Sequence, residues 1–160
     1  MQSILLITGW GVGIQPLQPL QQALINQGFK VELINIFNGL ERTSLEQYSK
    51  IAQNFDVIIG WSLGGQLAAL LVQHIYEKTA QVKTLITLAS NPCFVMSNEW
   101  PVGMEQSTFQ SFKEAFKQDP QTTLKRFCYL VTQGGLQAKQ NWQYLQSLIH
   151  TEDTVSLLTG

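Results

Sequence analysis

Val57-Ile58-Ile59-Gly60-Trp61-Ser62-Leu63-Gly64-Gly65-Gln66-Leu67-Ala68-Ala69-Leu70 decides how the chain is read. A short β-branched run leads into a Gly-x-Ser-x-Gly turn, and small and apolar residues at helical spacing follow. Alone, Gly-x-Ser-x-Gly is a weak signal. Between a strand and a helix it marks a sharp turn that holds a serine exposed at the end of a sheet. Side chains at positions 60 and 64 would collide across such a turn. The helix that follows, read as Gly64–Tyr76, points the positive end of its dipole at the serine. This pattern makes Ser62 a candidate nucleophile and predicts an unfavourable backbone conformation for it. The bland alternative is a tight glycine turn that happens to contain a serine.

Working outward, three more apolar runs read as buried strands: Ser3–Thr8, Val31–Ile36 and Lys83–Ala89, beside Asp56–Ile59. Helical stripes separate them. Pro16–Gln27 aligns Leu17, Leu20, Leu24 and Ile25, with Gly28 as the C-terminal stop. Ser44-x-x-Gln47 reads as a capping box opening a short helix. Strands alternating with helices predict an α/β fold with a parallel sheet and right-handed crossovers, in the order 2-1-3-4 with helices on both faces. The first and third strands are then neighbours, and their C-terminal ends form the switch point where open α/β sheets bind ligands. Lys83–Ala89 falls at a sheet edge, so pairing of the chain with other chains is expected there.

Gly9-Trp10-Gly11-Val12-Gly13 follows the first strand. It reads as an oxyanion loop, with the Trp10 N–H paired with that of Leu63. A dinucleotide loop would need glycine at position 14, which is Ile14, and an acidic residue after the second strand, which ends at Asn35-Ile36. Past Ser90-Asn91-Pro92 the periodicity is helical throughout. Phe109, Phe112 and Phe116 form one stripe. Leu124, Phe127, Cys128 and Val131 form a second, after an Asp119-Pro120 cap, and Trp142, Leu145, Leu148 and Ile149 a third. A helical hairpin or lid appended to the sheet follows from this.

The histidines are His74 and His150. His74 lies twelve residues past Ser62 on the same helix, about 18 Å along its axis, too far to act as its base. His150 ends the last helical segment and would have to fold back to reach the serine. Asp56 stands at the wrong end of the sheet, and Asp119 and Asp153 sit in caps or tails.

The 160 residues suffice for one real core. At 44% hydrophobic and 13% charged, with a net charge of -1, they carry no basic footprint for nucleic acid. Two cysteines, Cys93 and Cys128, without metal-type spacing fit a reduced, cytoplasmic setting, and neither cofactor nor metal is expected. No apolar stretch reaches membrane-spanning length.

The Trp61-Ser62-Leu63-Gly64-Gly65 turn, the Ala89-Ser90-Asn91-Pro92-Cys93-Phe94 stretch and Glu99-Trp100-Pro101 together resemble the BioH-type carboxylesterases of the α/β-hydrolase superfamily. These demethylate pimeloyl-[acyl-carrier-protein] methyl ester in biotin synthesis. Lys125-Arg126-Phe127 and Thr132-Gln133-Gly134 look like that family's lid. The resemblance implies a partial α/β-hydrolase fold, with a core over residues 1–98, a lid over 99–150 and a tail at 151–160. It implies Ser62 as nucleophile, Trp10 and Leu63 as oxyanion donors, and Trp61, Phe127 and Val131 along the acyl channel. Arg126 and Lys139 would face the phosphopantetheine arm and the acidic carrier protein, though both read equally as solvated charges. An acyl-carrier-protein-linked substrate, no membrane partner and a monomeric full-length enzyme are further implications.

The chain departs from the family at Thr8, where a histidine is usual, and at Thr122, a basic lid position. Two strands usually precede Ser3, and the catalytic Asp and His follow the lid. The chain therefore reads as a truncated member, nearly inactive alone. Another serine acyl hydrolase or thioesterase, or a non-catalytic α/β module that binds an acyl chain or a protein, remains open.

Overall fold

Leu5, Leu6, Ile7 and Ile58 are wholly shut off from solvent, and the two strands that carry them form the centre of the sheet. The computed structural model describes residues 1–149. Strands β1 (Ser3–Ile7), β2 (Lys30–Ile34), β3 (Val57–Trp61) and β4 (Thr84–Leu88) form one parallel sheet in the order β2-β1-β3-β4. Ile7 stands opposite Gly60, which brings the ends of β1 and β3 together. This is the order expected from the alternation of strands and helices.

A parallel sheet needs cover on both faces. One face packs Leu5, Ile7 and Ile58 under Ala52, Leu67, Ala68, Leu71 and Ile75 of helices α2 (Arg42–Ala52) and α3 (Leu63–Thr79). The other packs Ile4, Leu6, Val57 and Ile59 under Leu20 and Leu24 of α1 (Gln18–Asn26), which follows a 3-10 turn at Gln15–Leu17. Glycine at 28 ends α1 as expected. At φ 89° it turns the chain left-handed, its N–H donates to the Ile25 carbonyl, and the Phe29 N–H donates to that of Leu24. These are the two bonds of a Schellman cap, and Phe29 packs beside Leu24 in the same cluster.

The capping box at Ser44 does not form. Helix α2 starts at Arg42, two residues earlier, with Glu41 as an extended N-cap that makes no side-chain capping bond. Thr43 Oγ1 instead donates to Glu41 Oε1 at 2.6 Å.

The chain divides into two compact units, residues 1–91 and the part from Pro92 onward. The second contains α4 (Gln106–Gln118), α5 (Pro120–Thr132) and α6 (Ala138–Ser147). Asp119 caps α5 as read from the sequence: its carboxylate accepts from the Thr122 N–H at 3.0 Å, with Pro120 first in the helix. Phe116, Leu124, Cys128 and Leu145 are buried. Burial pushes the Cys128 thiol up to about 11, so it is an inert packing group. Val131 is not on the buried stripe; it is 49% exposed. Leu148 and Ile149 lie beyond the end of α6.

Asp56 ties the bottom of β3 to that of β1, accepting from the Ser3 N–H at 2.7 Å and from Ser3 Oγ at 2.9 Å. These bonds, the backbone one first, hold its carboxyl below the usual range. A depressed folded pKa adds stability that is fully present above the ordinary carboxylate value of about 4. That stability is lost as pH falls through the lower, folded value. Asp56→Asn is therefore expected to lower Tm modestly at neutral pH and to flatten its fall on acidification below pH ~4. A Tm–pH curve identical to that of the parent would contradict the assignment.

Candidate active site

Ser62 links β3 to α3 at φ 55°, ψ -123°, a region that residues with a side chain rarely enter. Holding a residue in such a region costs about 1–3 kcal/mol and persists only where the surroundings fix it. Here the fixing is explicit. The Ser62 N–H donates to the Leu88 carbonyl of β4, and its carbonyl accepts from the Gly65 N–H, both at 2.9 Å. The strain sits on the serine, not on the flanking glycines, neither of which has a positive φ. Their requirement is space. A Cβ on Gly60 would fall on the Gly64 carbonyl, and one on Gly64 on the carbonyls of Ile7 and Thr8.

The loop after β1 lies against this turn. A Cβ on Gly9 would stand 3.0 Å from the Trp61 ring and 3.2 Å from the Ser62 Cβ. Trp10 follows in that loop, and Leu63 opens α3, where the first N–H groups have no partner within the helix. The structure thus brings Gly9, Trp10, Trp61, Ser62 and Leu63 together at the adjoining ends of β1 and β3. A carbonyl placed at Ser62 would meet helix-terminal N–H groups and the positive end of a 17-residue helix.

Two supports were not read from the sequence. Buried Thr8 donates its hydroxyl to the Gly13 carbonyl at 2.6 Å, which closes the Gly9–Gly13 loop. A hydroxyl residue just before a glycine-rich turn is the sequence signal for such a bond. After β4, Ala89 turns left-handed at φ 46°, Ser90 fills the space beside Gly65, and Gln66 Nε2 donates to the Asn91 carbonyl at 3.0 Å. The chain beyond β4 is thereby fastened to the first turns of α3.

The other candidates lie in the second unit. Arg126, Phe127 and Val131 are on α5, and Lys139 is on α6. Phe127 is half-buried with its ring 6.2 Å from that of Phe112, while Arg126 and Lys139 are exposed. Among the described residues the histidine is His74, in the fourth turn of α3, and no group of acidic, cysteine and histidine side chains could hold a metal. His150 lies outside the described residues. No helix among them is long and apolar enough to cross a membrane.

Parallel order 2-1-3-4, a left-handed serine between β3 and α3, and a glycine loop at the end of β1 make this a partial α/β-hydrolase fold. Within that class, the chain is by sequence a relative of the pimeloyl-[acyl-carrier protein] methyl ester esterases. It is 38% identical over 107 residues to the one from Xylella fastidiosa (strain 9a5c), covering 65% of this chain and 40% of that protein. It is 30% identical over 168 aligned positions to the one from Pectobacterium carotovorum subsp. carotovorum, covering 98% of this chain and 64% of that protein. The biotin biosynthesis bifunctional protein BioHC of Teredinibacter turnerae is 35% identical over 122 residues, 69% of this chain and 21% of its own length. The chain thus spans less than two thirds of each of these relatives. No family model matches it.

Proposed function

We propose that this chain is the nucleophile-bearing part of a serine carboxylesterase that hydrolyses the methyl ester of an acyl chain carried on acyl carrier protein, in biotin synthesis. The observation that carries the reading is Ser62 at φ 55° on the N-terminus of α3, against the Gly9–Trp10 loop. Relatives named as esterases for such a substrate supply the substrate class. Ser62 Oγ attacks the ester carbonyl while the N–H groups of Trp10 and Leu63 hold the oxyanion. Methanol leaves, an acyl-Ser62 forms, and water releases the acid. Trp61, Phe127 and Val131 line the acyl chain in this reading. Residues 99–150 act as a lid, and Arg126 and Lys139 meet the carrier protein. The setting is the cytoplasm.

The general base and its acid partner are assigned to residues other than those described. A serine without its base stays protonated and is a poor nucleophile. Complete triads that lose a member retain roughly 10³–10⁴-fold over water, from the oxyanion hole and binding. The 160-residue chain is expected to acylate slowly and to deacylate more slowly still.

Single-turnover incubation with pimeloyl-[acyl-carrier protein] methyl ester tests this, read by methanol release and by the intact mass of the chain. An acyl adduct with matching methanol, absent in Ser62→Ala, is the expected result. Release of the carrier thiol without methanol would favour the thioesterase reading. Acyl binding with no adduct would favour the non-catalytic module. Multiple turnover at ordinary esterase rates would place a base within this chain and make His150→Ala the next variant.

A further inference from the structure

Among the described residues, three that are not glycine adopt a positive φ: Ser62, Ala80 and Ala89. Ala80 ends α3, where a left-handed residue is ordinary, and its N–H donates to the Tyr76 carbonyl. The other two, Ser62 at φ 55° and Ala89 at φ 46°, stand at the C-terminal ends of the paired strands β3 and β4. One backbone bond joins them. The Ser62 N–H donates at 2.9 Å to the carbonyl of Leu88, the residue before Ala89. That carbonyl lies in the rigid peptide plane that rotation about φ of Ala89 turns. The kink at Ala89 therefore aims the acceptor that holds Ser62.

A left-handed alanine persists only where its surroundings fix it. Two contacts do so here, both with the first turns of α3. Ser90 stands directly on Gly65: a Cβ at position 65 would fall 2.5 Å from both the Cβ and the Oγ of Ser90. Half-buried Gln66 reaches across and donates from Nε2 to the Asn91 carbonyl at 3.0 Å. Gly65 in turn donates its N–H to the Ser62 carbonyl. The contacts close a ring. It runs from Ser62 to Leu88, along the chain to Asn91, across to Gln66, and back through Gly65 to Ser62. All of its members lie in the unit of residues 1–91. Gln66 contributes a side-chain hydrogen bond, so a substitution there opens the ring without altering its backbone.

We propose that Gln66 is a positioning residue for Ser62. Its bond to the Asn91 carbonyl holds Ala89 left-handed, which aims the Leu88 carbonyl at the Ser62 N–H and keeps the serine in its strained conformation. Gln66 touches no reacting atom and acts through Leu88. The chemical consequence rests on Ser62 being the nucleophile; the geometric one does not. Methionine at 66 keeps helix propensity and bulk but removes the donor. Glycine at 89 enters the left-handed region without steric cost, so the kink no longer depends on Gln66. The two positions are therefore expected to compensate, which a general loss of packing would not produce.

Gln66→Met and Ala89→Gly, singly and together in the 160-residue chain, are the test, with Gln66→Leu in place of Gln66→Met if the latter does not fold. Two quantities are read: the rate at which a fluorophosphonate labels Ser62, and hydrogen exchange at the Ser62 amide against that at Leu71, buried in the middle of α3. Gln66→Met is expected to slow labelling about tenfold, the size of factor that the release of one strained residue carries. It is expected to speed exchange at Ser62 while Leu71 exchanges as in the parent. Adding Ala89→Gly should restore both. Exchange at Ser62 unchanged in Gln66→Met overturns the proposal. So does a loss that Ala89→Gly does not repair, or an equal acceleration at Leu71, which marks an ordinary loss of stability. A parent chain in which Ser62 takes no label, but whose Ser62 amide follows the expected pattern, removes the nucleophile and supports the positioning.

Discussion

Gly60→Ala and Gly64→Ala are each expected to lose stability at or above the ~3 kcal/mol that marks the upper end of ordinary overpacking. In both cases the added carbon meets backbone: the Gly64 carbonyl and Gly65 nitrogen for position 60, the carbonyls of Ile7 and Thr8 for position 64. Backbone at the junction of β1, β3 and α3 cannot swing aside as a side-chain tip can. It is held by the β1–β3 pairing and by the burial of Leu67, Ala68 and Leu71 just beyond. A domain is stable by only about 5–15 kcal/mol, so a loss of this size removes a large share of the total. Gly28→Ala is the control. Its φ is 89°, but nothing lies within 4 Å of the added carbon, so the cost is the left-handed strain alone, about 1–2 kcal/mol. Denaturant midpoints for the three variants check the ranking. An elbow variant no worse than Gly28→Ala would mean that the close approach of α3 to β1 does not govern the turn.

The same close approach explains what was legible in the sequence. Strands β1 and β3 are buried on both faces, so they read as continuous apolar runs, and the glycines at 60 and 64 are needed on steric grounds that sequence expresses directly. The Asp119-Pro120 cap was legible for a similar reason, since capping is local. The start of α2 was not, because an extended Glu41 serves where Ser44 was expected, and propensity does not rank the two. Val131 failed as a buried position because a stripe names a helix face without saying what covers it. At the site, Ser62 and the Gly9–Gly13 loop were readable. The Gln66–Asn91 bond was not, since it joins residues 25 positions apart whose proximity only the fold supplies. The left-handed Ala89 carries no glycine to announce it.

The central claim is that Ser62 is a nucleophile held by the fold, and its removal is expected to have the largest chemical effect. A strained turn sets Ser62 at a helix N-terminus beside the Gly9–Trp10 loop, and no other serine among the described residues has a positive φ. Fluorophosphonates phosphonylate activated serines, forming an Oγ–P bond with loss of fluoride, and they report the nucleophile even where turnover is blocked. Without a base the reaction is expected to be slow against complete triads, yet confined to one residue. The deciding measurement is prolonged labelling of the native chain followed by peptide mass spectrometry. The account predicts a single phosphonylated site at Ser62 and no labelling of Ser62→Ala above that of the denatured chain. A label spread over several serines, or undiminished in Ser62→Ala, would contradict it.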